Sequence, residues 1–133
     1  MDIVEVAEIL SAYRLPKPQH ILIVKEPVYE RVDGILFYRG LAPAGRSDVI
    51  VLTPDALPET VLHETLHNLG FGELVASLGG KILIRKYQFL KKHPILKELA
   101  TRKVIYRKCE GCSEFRLVHS KYAGRVLHYV RVK

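Results

Sequence analysis

Apolar residues in the N-terminal part of the chain predict one helix followed by strands. They recur at helical spacing from Val4 to Tyr13, and the two prolines that follow end this helix. The short apolar run Ile21–Val24 predicts a strand, and Asp48–Thr53 predicts the clearest strand of the chain. Between them, the turn pair Asp33-Gly34 separates two further apolar stretches, so we expect a hairpin there.

The second half of the chain predicts two helices and a ribbon. The helix from Pro58 to about Leu69 begins with a proline and a glutamate, which suit a first turn, and Gly70 ends it. A second helix from Glu73 to Lys92 is expected, although a Gly-Gly pair weakens its middle, and a helical turn at Ile95–Ala100 follows. The antiparallel ribbon would consist of Val104–Tyr106, Phe115–Val118 and Val126–Val132.

This order of elements predicts an α+β fold with a small mixed sheet, an active-site helix and a C-terminal ribbon. With 133 residues the chain is expected to form one domain, residues 1–133, in which the basic segment 101–133 is a ribbon or a subdomain. The N-terminus lacks the basic start and apolar stretch of a signal peptide, and no apolar run could span a bilayer. We therefore expect a cytoplasmic protein with no membrane partner.

Charge is distributed unevenly along the chain. Residues 1–80 hold 6 Lys/Arg against 11 Asp/Glu, whereas residues 81–133 hold 15 against 3, and the whole chain carries a net +7. A segment as basic as the second half attracts polyanions, of which nucleic acid is the commonest. The alternative is a solvated face that serves solubility or heat resistance.

Two histidines four residues apart on a predicted helix are the strongest chemical signal. His63 and His67 project from one flank of the helix, one turn apart, so both imidazoles can reach a single zinc ion. Glu64 points to another side, where it can reach the water activated by that zinc and act as its general base. The alternative is a pair of polar surface histidines, since a His-Glu-x-x-His sequence also arises by chance.

Gly70 lets the chain leave the helix and turn back, which brings Glu73 to the spacing of a third zinc ligand. The stretch His63-Glu64-x-x-His67-x-x-Gly70-x-x-Glu73 resembles the long motif of the metzincin metallopeptidases. Glu73 stands where that family has histidine, and a carboxylate is the third ligand in the gluzincin metallopeptidases. A more distant ligand is the alternative, with Glu98, Glu110 and the remaining histidines as candidates.

The resemblance implies a zincin, a zinc-dependent peptidase that hydrolyses peptide or protein substrates. In zincins an edge strand before the active-site helix binds extended substrate, and Asp48–Thr53 occupies this place in the sequence. The alternative is an ordinary core strand, and one strand can have both roles. Tyr87, Tyr106 and Tyr122 are candidates for stabilising the oxyanion, with no order among them.

Cys109 and Cys112 have the spacing of a zinc knuckle or a redox pair. They could hold a second, structural zinc ion together with His119 and His128, form a labile disulfide, or flank a tight turn as free thiols. The layout of His-Glu-x-x-His, basic segment and paired cysteines is similar to the SprT-type proteases, which act on proteins at DNA. This implies the second hypothesis, a nucleic-acid-associated protease or a nucleic-acid-binding module whose zinc is structural or vestigial.

Overall fold

The computed structural model describes residues 1–31, 34–43, 48–93, 104–108, 114–122 and 125–128. It contains both helices and a small mixed sheet, so the predicted α+β class is confirmed. The helices are α1 (Ile3–Ser11), α2 (Pro58–Asn68) and α3 (Glu73–Lys91). The strands are β1 (His20–Ile23), β2 (Val28–Arg31), β3 (Ile35–Tyr38), β4 (Gly40–Leu41), β5 (Val49–Leu52), β6 (Val104–Lys108), β7 (Glu114–Tyr122) and β8 (Arg125–His128). The helical turn predicted at 95–100 lies outside the described residues.

The main sheet has the strand order β4-β5-β1-β7-β6, and β8 pairs with the far end of β7. Its one parallel pair joins β1 to β5, with Ile21 opposite Ile50, and its other pairs are antiparallel. The predicted ribbon is present as β6, β7 and β8, although residues 129–132 of its last predicted stretch lie outside the described residues. Because β7 pairs directly with β1, the ribbon continues the main sheet. The predicted hairpin is formed separately by β2 and β3.

The core lies where α1 and α2 pack against this sheet. All four residues of β5 are buried, as expected for a strand that is paired on both edges and covered by helices. The Asp2 side chain caps α1 by accepting a hydrogen bond from the Glu5 N–H, and this orients Val6, Ile9 and Leu10 into the core. None of the described helices is long and apolar enough to cross a membrane.

The helix α3 packs along α2, and two glycines allow this close approach. A Cβ at Gly80 would lie 3.2 Å from the Glu59 carbonyl oxygen and 3.4 Å from the His63 nitrogen. A Cβ at Gly79 would lie 2.6 Å from Leu66 Cδ1. The Gly-Gly pair therefore does not interrupt α3; it brings α3 against the helix that carries the histidines.

Candidate metal centre

The ends of α2 are fixed by the residues that the sequence indicated. Pro58 is its first residue, and the Thr60 hydroxyl accepts a hydrogen bond from the Leu57 N–H at 3.1 Å, so one backbone donor of the first turn is satisfied. At the other end Gly70 has φ +97°, a left-handed conformation that favours glycine. This residue ends α2 and turns the chain directly into α3.

The turn brings together the three side chains predicted as metal ligands. His63 Nε2 lies 3.2 Å from His67 Nε2 and 3.1 Å from Glu73 Oε1, and His67 Nε2 lies 2.8 Å from Glu73 Oε2. The histidine side chains are 22% exposed and Glu73 is 73% exposed, so the cluster opens to solvent on the carboxylate side. Within the part of the chain that the structure describes, these three residues form the one group able to hold a metal ion.

The hydrogen bonds of His67 leave acceptor atoms facing each other at the centre of this cluster. Its Nδ1 lies 2.9 Å from the Phe71 carbonyl oxygen, and because a carbonyl only accepts, Nδ1 carries the proton and donates it. In neutral His67 the Nε2 lone pair then faces the carboxylate of Glu73, which is also only an acceptor. Two acceptors this close repel each other, so either additional protons or a metal ion must lie between them. Such an outer hydrogen bond is typical of metal-binding histidines.

Glu73 is held in place by a residue that the sequence did not indicate. The Ser77 hydroxyl, one turn further along α3, donates to Glu73 Oε1 at 3.1 Å. Partial burial acts to raise the pKa of the Glu73 carboxyl, but the hydrogen bond from His67 protonated on both nitrogens, the hydrogen bond from Ser77 and the positive charge of protonated histidines outweigh it and lower the pKa. The signal for Ser77 was its spacing, i+4 from a ligand on the same helix.

Glu64 is buried beside this cluster, with 6% of its surface exposed. Burial raises the pKa of its carboxyl to about 7; charge at His67 opposes the rise and the Glu73 carboxylate adds to it. A Cβ at Gly40 would lie 3.0 Å from Glu64 Cγ, 3.1 Å from its Oε2 and 2.6 Å from Thr60 Cγ2. Only a residue without a side chain lets β4 lie this close to Glu64, so Gly40 is a second site residue that sequence reasoning missed.

An open cleft of about 670 Å³ lies in front of Glu64 and His63. Residues 38–40 form one wall, and residues of α2 and α3, among them Ser77 and Lys81, form the others. The expectation that Asp48–Thr53 supplies the edge strand is wrong, because β5 pairs with β1 on one side and β4 on the other. β4 is the end strand of the sheet in the described part of the chain, and it lies at the cleft.

Of the tyrosines considered for the oxyanion, two are engaged elsewhere. Tyr87 is buried in the core, and the Tyr106 hydroxyl donates to the Pro18 carbonyl oxygen at 2.6 Å. The Tyr122 side chain is outside the described part, as are Cys109, Cys112, Glu98 and Glu110, so the hypotheses about these residues stay predictions. The cleft is lined by two cations, Arg39 and Lys81, and, besides Glu64, by the carboxylates of Asp55 and Glu59.

The basic half of the chain is described only in part. Lys91 and Lys92 at the end of α3 and Arg107 and Lys108 on β6 are exposed, as a polyanion-binding surface requires. Nothing in their arrangement identifies nucleic acid, which therefore stays a prediction.

Comparisons of the chain with protein-family models, with curated proteins and with solved structures find no match.

Proposed function

We propose that this chain is a zinc-dependent metallopeptidase. The observation that carries the proposal is the convergence of His63, His67 and Glu73 on one point beside the buried carboxylate of Glu64. Ligands of a tetrahedral zinc site, with bonds of about 2.0–2.1 Å, lie about 3.3 Å apart. The two Nε2 atoms are 3.2 Å apart, and each lies close to one oxygen of Glu73, His63 3.1 Å from Oε1 and His67 2.8 Å from Oε2, so two imidazoles and a carboxylate fit zinc in number and type.

A bound zinc ion would supply Lewis-acid chemistry, because three protein ligands leave one position open to water or to a substrate carbonyl. Glu64 would accept a proton from the attacking water and later deliver it to the departing amine. It would not serve as a ligand. Its enclosure between α2 and β4 holds the carboxylate in one orientation and keeps bulk solvent from it.

The cleft supports a peptide as the substrate. An extended chain could pair with the β4 backbone, which gives affinity through main-chain hydrogen bonds whatever the substrate sequence. Arg39 and Lys81 line the same cleft and would favour negative charge that develops on the carbonyl oxygen. The residues of the cleft thus provide for binding, proton transfer and charge stabilisation.

The test separates metal binding from hydrolysis. Glu64→Gln should bind zinc as the wild type does and hydrolyse an unfolded test protein about 100- to 10,000-fold more slowly, the usual contribution of a general base. His67→Ala should lose both zinc and activity. Glu26→Gln, which changes an exposed carboxylate between β1 and β2, is the matched control and should keep both. Wild-type hydrolysis by Glu64→Gln would refute the proposed mechanism.

A further inference from the structure

The helix α3 carries apolar residues on two opposite sides. Its inner side, which includes Ile84 and Tyr87, is buried against α2 and α1. On its outer side five large apolar side chains are 50 to 73% exposed, and we call them the outer stripe. The outer stripe consists of Leu74, Val75, Leu78, Ile82 and Phe89.

The spacing of the outer stripe places its members on one face. Leu78 follows Leu74 by four residues and Val75 by three. Ile82 comes four residues after Leu78, and Phe89 seven after Ile82. Steps of three, four and seven residues return to the same side of a helix. A solvated helix has one apolar face, and a helix with apolar residues on both sides is covered on both. The Phe71 side chain, 47% exposed, extends this surface to the turn beside the metal cluster.

Charge on α3 indicates what covers the stripe. Between positions 74 and 92 there are five basic residues and no acidic residue. Four of them carry long aliphatic stems of lysine, which can lie along an apolar surface while the ammonium group reaches outward. All five are exposed: Lys81, Arg85, Lys86, Lys91 and Lys92.

We propose that the outer stripe docks on the surface of an anionic lipid bilayer, with α3 parallel to the membrane plane. A helix with an exposed apolar stripe, on which every charged residue after Glu73 is basic, meets both chemistries of this surface, acyl chains below and anionic headgroups around. A second copy of the chain fits less well, because pairing two α3 helices brings like charges together. The proposal replaces the expectation of no membrane partner, which concerned spanning segments and signal peptides.

Docking in this way is independent of the proposed peptidase activity. It would hold the metal cluster near the bilayer, since Phe71 supplies the carbonyl that accepts the hydrogen bond of His67. The membrane contact itself needs neither zinc nor Glu64, so it can be tested on a protein that hydrolyses nothing.

The test is binding of the full-length protein to vesicles. Phosphatidylcholine vesicles with and without phosphatidylglycerol are titrated at low and high salt. We expect binding to the anionic vesicles, weakened by salt. The double variant Leu78→Ser/Ile82→Ser should reduce the partition coefficient by roughly tenfold or more. Val4→Ser, at an exposed apolar position on α1, is the matched control and should bind as the wild type does.

Insertion can be observed directly because the chain contains no tryptophan. Phe89→Trp should show a blue-shifted emission on anionic vesicles, and Val4→Trp should not. Three results would overturn the proposal. The first is that the folded wild-type protein does not bind anionic vesicles at low salt. The second is binding that the double variant leaves unchanged, and the third is a dimer in solution that the double variant dissociates. The second would assign binding to charge alone, as for any polyanion, and the third would make a second copy the occupant.

Discussion

Two polar clusters contact α3, and they satisfy their polar groups in different ways. Near the middle of the helix, the Tyr13 hydroxyl donates to the Leu83 carbonyl oxygen and accepts from the Tyr87 N–H at 3.2 Å. Lys17 Nζ donates to the carbonyl oxygens of Tyr13 at 2.5 Å and Leu15 at 2.6 Å. In this Tyr13–Lys17 cluster each of these donors has an acceptor, and every partner is a group of the chain itself.

At the N-terminal end of α3 the arrangement is the reverse. His63, His67 and Glu73 turn acceptor atoms toward a common point, and no arrangement of their neutral imidazoles and carboxylate supplies a donor for each contact. The Tyr13–Lys17 cluster is complete without a ligand, whereas the His63, His67 and Glu73 cluster could take up either protons or a metal ion.

Zinc should therefore act on one cluster and leave the other unchanged. With free zinc about a thousandfold above its dissociation constant, the free energy of unfolding should rise by about 4 kcal/mol. The increase should be absent in His67→Ala and intact in Lys17→Met. Thermal unfolding followed by circular dichroism, with and without a chelator, measures it. An equal zinc effect in His67→Ala would place the metal elsewhere.

Glu73 can be tested within the same experiment. Glu73→Gln nearly keeps the shape of the side chain but removes the anionic donor, so the zinc-dependent stabilisation should fall. Glu73→His places an imidazole at this position and should retain part of the zinc-dependent stabilisation. Full stabilisation in Glu73→Ala would transfer the third ligand to another residue.

The stability that the Tyr13–Lys17 cluster contributes should depend on pH. Burial lowers the pKa of Lys17 from its ordinary 10.5 to about 8, with the charge of Lys86 adding to the effect. Between these values the unfolded chain binds one proton more than the folded chain, so this group makes stability rise with pH. Relative to Lys17→Met, the wild type should gain about 2 to 3 kcal/mol between pH 7 and pH 10.

Denaturant titrations of both proteins across this range measure the difference. The difference should level off above pH 10, where the lysine of the unfolded chain also loses its proton. Burial raises the pKa of Tyr13 to about 12, so stability falls above pH 10 as the unfolded tyrosine ionises first, but it falls in both proteins alike. A pH-independent difference between the two proteins would mean that Lys17 is not buried as a cation in the folded state.

The sequence predicted that His63, His67 and Glu73 lie together because the signal for their clustering is local. Helical spacing brings His63 beside His67, and Gly70 reverses the chain at the one point from which Glu73 can return. Helix boundaries were predictable for the same reason, since prolines and glycines act within a few residues. The α+β class followed from the order of such elements.

What the sequence did not predict depends on contacts between distant segments. The apolar sequence of Asp48–Thr53 suits an edge strand and a central strand equally. Only the pairing of β5 with both β1 and β4 shows that it is a central strand. Gly40 is one of nine glycines in the sequence. A glycine is required there because the position packs against α2, which carries Thr60 twenty residues later in the chain. The Gly79-Gly80 pair suggested a weak helix because close packing against α2 cannot be seen locally.

Gly40→Ala should sharpen the distinction between ligand binding and catalysis. The added Cβ would meet Thr60 Cγ2 at 2.6 Å and Glu64 Cγ at 3.0 Å, so β4 or the carboxylate has to shift. Overpacking of this kind costs about 1–3 kcal/mol. Hydrolysis should fall roughly tenfold while zinc affinity stays unchanged, which a peptide assay beside a zinc titration measures.

Thr60→Ser provides the matched rescue of this variant. It removes the clashing Cγ2 and keeps the hydroxyl that accepts from the Leu57 N–H. The double variant Gly40→Ala/Thr60→Ser should therefore recover part of the lost activity. If Gly40→Ala hydrolyses peptides at the wild-type rate, close contact with β4 does not position Glu64.

The smallest effect is expected from Ser77, which touches the cluster without being a ligand. Its hydroxyl donates to Glu73 Oε1 at 3.1 Å, and loss of such an outer hydrogen bond typically costs about 10- to 100-fold in metal affinity. Because the carboxylate keeps its contacts with both histidines, we expect the loss of zinc affinity in Ser77→Ala to lie near the lower limit, about tenfold.

Two control variants accompany Ser77→Ala. Ser77→Thr retains a hydroxyl and should bind zinc more tightly than Ser77→Ala. Ser11→Ala, on α1, changes a serine far from the cluster in sequence and should leave zinc affinity as it is. Competition with a chromogenic chelator measures all three. Equal affinity in wild type and Ser77→Ala would show that the two histidines alone orient Glu73, and the cluster would then depend on α2 and its turn rather than on the packing of α3.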